Sequence, residues 1–445
     1  MGSQRYIREY VGQKLEKFNE KIRKLTRIAK TSPHVAYSLY QVHTKHEIGY
    51  LMRTASLTPD MLRETKKLLT EFAESIVGQK IVSKSTLEEL SLPNTWGGIS
   101  INACDLENEA KHQRKKSMYA TAALKEKLTE QDDTLPKETD TRHLDRERSN
   151  QIKLNADRLK EEANAGEKSR MAENRLKGTS AWLDSLPIKN QGRYLNKSEL
   201  QDAMKLRLGL PIQRLPRKCE CGQDNSVVHR NCCKLGGYVA KRHNSIRDLL
   251  HAKAKMIFND TEVEPKLLPV EEHTLAVGAN RSDGARADVR INGYTGQYQN
   301  TFFDVQVINV QAPSHQNDTP KEAMRKAESK KEKMYKERIE SIDGGTFIPL
   351  IFTTKGARTF KTAKTISSLA RRSADKRKIN INDVMKSWSQ EMSFFFLKAQ
   401  LACVRGNRKR AHANGRTQYS SNKSFGMLDT NTDSHVTPSP GPPQG

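Results

Sequence analysis

The sequence predicts a multidomain α+β protein, and three observations support this fold class. Apolar residues recur at helical spacing through residues 1–85, which is typical of amphipathic helices. Later stretches at 286–291, 301–310 and 346–353 resemble strands, and a charged helix pattern at 320–342 lies between the last two. The length of 445 residues suits two or three domains of about 100–200 residues each.

Composition indicates the kind of partner. The chain has 77 Lys and Arg against 52 Asp and Glu, a formal net charge of +25, with 35% hydrophobic and 29% charged residues. So few apolar residues, and no apolar run near the ~20 residues of a membrane span, argue against a membrane protein. The N-terminus lacks the apolar core of a signal peptide, so we expect an intracellular protein of the nucleus or cytoplasm, not a secreted one. The positive surplus favours binding to nucleic acid.

The elements predict five segments in chain order. Residues 1–104 are expected to form a helical bundle, in which Thr58 caps a helix whose first residue is Pro59. Residues 105–177 are dominated by charge and predict a solvated helical or flexible linker. The remaining segments are a helical region with a Cys/His cluster at 178–242, a mixed α/β domain at 243–405, and a basic, Pro-rich disordered tail at 406–445.

The Cys/His cluster predicts a structural zinc site. Cys219 and Cys221 form a CxC pair followed by glycine, and His229 precedes Cys232 and Cys233. Thiolate and imidazole ligands at this spacing suit tetrahedral zinc. Cys233 is the expected fourth ligand because its i, i+4 relation to His229 puts both on one side of a helix. The alternative is four ordinary buried cysteines.

Acidic residues at the ends of the strand patterns predict a second metal site. Glu264 precedes a proline, and Asp288 and Asp304 interrupt apolar strands separated by a glycine-containing turn. A buried aspartate needs a partner or a cation, and two on neighbouring strands can share Mg²⁺. An ion held in this way can support phosphodiester cleavage. The alternative is that both aspartates only terminate strands.

Basic residues surround this predicted site. Lys330, Lys331, Lys333 and Tyr335 follow the Asp304 strand on the charged helix, where one lysine can stabilise a phosphodiester and the others form a solvated face.

Arg242, His243 and Arg247 follow the Cys/His cluster. They either position a substrate phosphate or hold the helix that carries them, and the sequence does not separate these two roles.

Several motifs then occur in an order that resembles a known family. They resemble the C-terminal region of reverse-transcriptase polyproteins from non-LTR retrotransposons that carry a restriction-like endonuclease. The resemblance covers roughly residues 20–105 and 178–405. Its motifs are Ala29–Pro33, Ala36-Tyr37, Tyr50–Arg53, Leu92-Pro93 with Gly97-Gly98-Ile99, Trp182-Leu183, Leu186-Pro187, Leu206-Arg207, the Cys/His cluster, Gly236-Gly237, Arg242-His243-Asn244, Arg247-Asp248, Glu264-Pro265, Asp283–Asp288 and Phe302–Val305.

The resemblance implies a thumb-like helical bundle, a zinc knuckle and a restriction-endonuclease-like mixed sheet flanked by helices. It makes Asp288 and Asp304 the catalytic Mg²⁺ ligands and Glu264 an auxiliary acid. The usual lysine of the carboxylate-x-Lys motif is replaced by Gln306.

In related elements a lysine from the following helix serves instead of the motif lysine. That points to Lys330 or Lys333 as catalytic, with Tyr335 nearby.

The expected function is therefore a target-nicking, Mg²⁺-dependent DNA endonuclease of a retrotransposon protein, with DNA and the element's RNA as partners and zinc as a structural ion. No polymerase palm motif occurs, so the chain resembles a truncated copy that does not synthesise DNA by itself. The alternative is a catalytically inactive, zinc-containing nucleic-acid-binding remnant.

Overall fold

The computed structural model describes residues 4–129, 141–271 and 274–406. These ranges form a mixed α+β structure, as the sequence predicts, with a four-stranded mixed sheet among many helices. The predicted tail, from residue 407 onward, lies outside the described residues, as does 130–140 of the predicted linker. Within the described ranges, no helix has both the length and the apolar content needed to cross a membrane.

The first part of the chain is helical. Thr58 accepts a hydrogen bond from the Met61 N–H, and Pro59 is the first helical residue behind it, so the predicted helix start is confirmed. A π-helical turn at Tyr40–Thr44 joins the second helix to the third. The helices are α1 (Gln4–Ala29), α2 (Pro33–Leu39), α3 (Lys45–Thr54), α4 (Pro59–Val77) and α5 (Lys84–Ser91).

The charged segment forms α6 (Leu106–Thr129), α7 (Arg142–Glu162) and α8 (Ala165–Asn174). The expectation of a solvated linker is wrong for α8. Arg170 of α8 is buried and makes a bidentate ion pair with the buried Glu89. Arg170 can therefore lie inside the molecule because its charge meets the opposite charge of Glu89.

The second half of the described chain contains a four-stranded mixed sheet. Strands β1, β2 and β3 are successive antiparallel neighbours, and β4 pairs in parallel with β3. A parallel neighbour requires a crossover, which α12 supplies. In chain order the elements are α9 (Lys197–Leu208), α10 (Val227–Cys232), α11 (Tyr238–Lys255), β1 (Thr261–Val263), β2 (Val289–Asn292), β3 (Asn300–Ile308), α12 (Pro320–Ser341), β4 (Thr346–Thr353), α13 (Phe360–Arg377) and α14 (Ile381–Arg405).

Helices cover both faces of this sheet. Alternate residues of β3 point to opposite faces, so Phe303 and Val305 pack with α11, α13 and α14, whereas Phe302 packs near Ile339 of α12. Asp304 lies on the α12 face of the strand. The sheet thus presents its acidic residue to the charged helix.

Helix α14 belongs to two hydrophobic cores. Trp388 and Phe396 pack in the core beside the sheet, whereas Phe394 and Leu401 pack with the N-terminal helices. Leu200 of α9 also belongs to the N-terminal core, so residues from the predicted 1–104 and 178–242 segments share it.

Candidate functional site

A tight turn starts the Cys/His cluster. Gly222 adopts φ +88°, a left-handed conformation that glycine tolerates best, and its N–H donates to the Cys219 carbonyl at 2.8 Å. The Cys219 N–H in turn donates to the Gln223 carbonyl at 2.9 Å. These bonds fold the CxC pair back on itself and place both thiols on the same side.

The short helix α10 supplies the other two ligands. Ser226 caps it by accepting a hydrogen bond from the His229 N–H at 3.0 Å, and the Cys233 N–H donates to the His229 carbonyl at 2.8 Å. This single turn presents the His229 ring and the Cys233 thiol together. We name Cys219, Cys221, His229 and Cys233 the metal knuckle.

The ligand atoms of the metal knuckle lie within 4.8 Å of one another. Cys219 Sγ is 3.9 Å from Cys233 Sγ, and Cys221 Sγ is 3.2 Å from His229 Nε2. Two sulfurs bound tetrahedrally to zinc at about 2.3 Å would lie roughly 3.8 Å apart, so the spacing fits. The cluster can therefore hold a metal ion such as zinc, as the sequence predicts.

Electrostatics and a neighbouring cysteine agree with this ligand set. Burial opposes ionisation of the Cys219 thiol, but hydrogen bonds from Cys221, His229 and Cys233 bring its pKa below the ordinary value. Cys232 instead receives a hydrogen bond from Asn309 Nδ2 at 3.3 Å. The choice of Cys233 over Cys232 is confirmed.

Asp288 and Asp304 lie near each other where the β2–β3 ladder ends. Val289 of β2 pairs with Phe303 of β3, and Asp288 lies one residue before this last pair. The Asp288 N–H also donates to the Phe303 carbonyl at 2.9 Å, and the Asp288 carboxylate accepts the N–H of Val305, the residue after Asp304, at 2.6 Å. Asp288 is contacted by His243 of α11, whereas Asp304 is contacted by Lys331 of α12.

Asp304 is a buried carboxylate with one charged partner. Its residue is 5% exposed, and burial raises the pKa of its carboxyl, whereas Lys331 opposes that shift. Lys331 Nζ lies 2.7 Å from Asp304 Oδ2 as an ion pair. A buried carboxylate needs a cationic partner of this kind.

Asp288 is held by two neighbours. The Val305 N–H donates to Asp288 Oδ2 at 2.6 Å, and His243 Nε2 lies 3.2 Å from the same oxygen and 3.0 Å from the Val305 carbonyl oxygen. The hydrogen bond to Asp288 raises the pKa of His243. His243, for which the sequence leaves phosphate contact and a helix-holding role open, contacts a predicted metal ligand.

The lysine at the carboxylate is not one of the two that the resemblance favoured. Lys331 pairs with Asp304, whereas Lys330 is exposed and Lys333 packs beside Gly278. Lys331, which the sequence analysis assigns to nucleic-acid binding, is thus the α12 lysine at the carboxylate, and which lysine takes part in catalysis stays a prediction.

Helical geometry explains why Lys331 is the lysine that reaches Asp304. Ala323, Ala327, Tyr335 and Ile339 recur every four residues on the buried side of α12, and Lys331 occupies the missing position of that stripe. This four-residue spacing is visible in the sequence and could have identified Lys331. Tyr335 packs on Phe347, and Lys331 Nζ lies 5.5 Å from its ring centre.

Glu264 lies at the end of β1 and is paired with arginines. Its carboxylate contacts Arg247, and Arg286 Nη1 lies 3.8 Å away. The Glu264 N–H donates to the Asp288 carbonyl at 2.9 Å, so its backbone adjoins the acidic pair. Arg247 is also bound to Asp248 at 2.8 Å, so two carboxylates occupy its guanidinium.

Arg242 does not reach the surface. It is 3% exposed, burial lowers its pKa, and its guanidinium lies 3.8 Å from Cys403 Sγ. Of the two roles that the sequence leaves open for Arg242, this burial favours the packing role, because helix α11 turns the side chain toward α14.

Comparisons with known proteins add no relative: no protein-family model and no curated protein matches this chain. The Asp288, Asp304, Lys331 and His243 group, named the acidic site below, is therefore judged on its own geometry.

Proposed function

We propose that this chain is a metal-dependent DNA endonuclease module of the kind that nicks target DNA in retrotransposition. The observation that carries the proposal is that the Asp288 carboxylate accepts the N–H of Val305, the residue next to Asp304, while Lys331 pairs with Asp304. The mixed sheet flanked by helices supports the same interpretation, because the resemblance implies that arrangement.

The donor set of the acidic site suits a hard divalent cation. Carboxylate oxygens are the ligands that Mg²⁺ prefers, and the Asp304 carboxylate is buried with Lys331 as its ion-pair partner. Bound there, Mg²⁺ would supply Lewis acidity toward a phosphodiester and activate a water molecule. Asp288 and Asp304 would hold the ion, and the Lys331 ammonium would stabilise the negative charge that develops on the phosphate.

The partner that we propose is DNA, with the element's RNA as a second ligand. A formal net charge of +25 favours a polyanion, and affinity from this source falls steeply as salt rises. The proposed role of zinc at the metal knuckle is structural, because four protein ligands fill a tetrahedral ion and leave no position for substrate.

The test is conversion of supercoiled plasmid to nicked circles by the full chain, with and without Mg²⁺. We expect nicking that requires Mg²⁺ and that Asp304→Asn abolishes while the circular dichroism spectrum is kept. Asp318→Asn is the matched control because Asp318 also pairs with a lysine of α12, Lys326, but lies at the start of that helix.

Equal nicking by wild type and Asp304→Asn would overturn the proposal. Salt-sensitive DNA binding without any nicking would instead favour the inactive nucleic-acid-binding alternative.

A further inference from the structure

His243 belongs to the acidic site, but the proposed reaction gives this residue no role. It lies on α11, ten residues after Cys233 of the metal knuckle, and its ring reaches Asp288 and the β3 backbone. Its Nε2 contacts both Asp288 Oδ2 and the Val305 carbonyl oxygen, at 3.2 and 3.0 Å. The side chain therefore links a helix to the two strands that carry the aspartates.

Two N–H groups lie at one oxygen of Asp288. Oδ2 accepts the Val305 N–H at 2.6 Å and lies 3.2 Å from His243 Nε2. Oδ1 accepts no hydrogen bond within the described part of the chain. An sp² oxygen with two donors has little capacity left for a cation, so Oδ1 is the atom that stays available.

We propose that His243 is a positioning residue that fixes the Asp288 carboxylate so that Oδ1 is presented to the divalent cation. The inference deepens the proposed nuclease function and rests on it. Hydrogen bonds from outer residues commonly orient a metal ligand, and their removal costs about 10–100-fold in metal affinity or activity. His243 would act on the reaction only through Asp288.

The other nitrogen of the ring supports this role. His243 Nδ1 lies 3.3 Å from Asn244 Oδ1, so the imidazole is held at both edges. A ring fixed in this way keeps Nε2 aimed at the carboxylate, which a freely rotating surface histidine would not do.

The experiment uses the full, zinc-loaded chain with Mn²⁺ as the probe, titrated and followed by electron paramagnetic resonance. The variants are His243→Ala, which removes the donor, and His243→Gln, which keeps an N–H near the position of Nε2. His251→Ala is the matched control, since His251 lies on the same helix but contacts Thr261 Oγ1 at 3.0 Å. Asp288→Asn identifies the Mn²⁺ signal that belongs to the acidic site.

We expect His243→Ala to weaken the Asp288-dependent Mn²⁺ binding by about 10–100-fold, with zinc content unchanged. His243→Gln should recover most of that affinity, and His251→Ala should match wild type. In the nicking assay, His243→Ala should raise the Mg²⁺ concentration for half-maximal rate by a similar factor, with a smaller change in the maximal rate.

Two results would overturn the inference, and they differ in whether the nuclease site survives. If Asp288→Asn weakens Mn²⁺ binding but His243→Ala does not, the positioning role fails and the nuclease site stands. If Asp288→Asn leaves Mn²⁺ binding unchanged, the nuclease site fails and the positioning role fails with it.

Discussion

The metal knuckle and the acidic site are both clusters of polar side chains. The residues of the first lie close together in the sequence, whereas those of the second lie far apart. All ligands of the metal knuckle lie within residues 219–233, where one glycine turn and one helical turn bring them together. The acidic site draws on α11, β2, β3 and α12 and exists only when the sheet has its register. Local chain geometry therefore specifies the first, and tertiary structure the second.

The largest effect that separates the two regions is expected at the metal knuckle. Cys233→Ser should abolish zinc retention, since structural sites of this type bind with apparent free energies of about 10–16 kcal/mol. Zinc bound per chain is measured by mass spectrometry after dialysis against a chelator. Cys232→Ser is the adjacent control and should keep its zinc, because Cys232 contacts Asn309 instead. Equal zinc loss in both variants would show that the ligand set is wrong.

The next effect concerns the acidic site alone. Lys331→Met should lower the rate of plasmid nicking by about 10²–10³-fold, because it removes the cation that stabilises charge on the phosphate. Zinc content should not change, since α12 contributes no ligand to the metal knuckle. Lys330→Met removes the same charge one residue earlier, on the exposed side of the helix, and should nick as wild type does. If Lys330→Met slowed plasmid nicking more than Lys331→Met did, the assignment of Lys331 would be wrong.

What the sequence could predict follows the same division. The zinc ligands and the choice of Cys233 could be read from spacing because helical periodicity acts within one turn. The burial of Arg242 and the contact of His243 with Asp288 could not, because both depend on which way α11 packs against the sheet and α14. Lys331 could have been identified from the i, i+4 pattern on α12. It was not, because several other lysines occur on the same helix.

The helices of the charged segment show the limit of composition as a guide. Residues 165–174 have the charge of a solvated spacer, yet Arg170 is buried against Glu89. The partner is distant in sequence, so no local pattern could reveal that the charge is paired.

The smallest expected effect tests whether the two regions support each other. Asn309, just after β3, donates to the Val228 carbonyl at 3.2 Å and to Cys232 Sγ, so it joins the Asp304 strand to α10, the helix that carries His229 of the metal knuckle. Asn309→Ala should lower the free energy of unfolding by about 1–2 kcal/mol with zinc still bound. Urea denaturation measures the change.

The control for this contact is Gln311→Ala. Gln311 donates to the Gly166 carbonyl at 3.1 Å from an exposed position, so its loss should cost less. Equal stability of Asn309→Ala and wild type would mean that the knuckle and the sheet are energetically independent.

The double membership of α14 has a consequence for the order of events on the ribosome. The N-terminal helices emerge first, but their core also contains Phe394, Leu397, Leu401 and Val404, which are synthesised last among these elements. Because chains grow at about 5–20 residues per second, the early helices must wait with an apolar face uncovered. Synthesis of α14, rather than of the N-terminal helices alone, would then complete both hydrophobic cores.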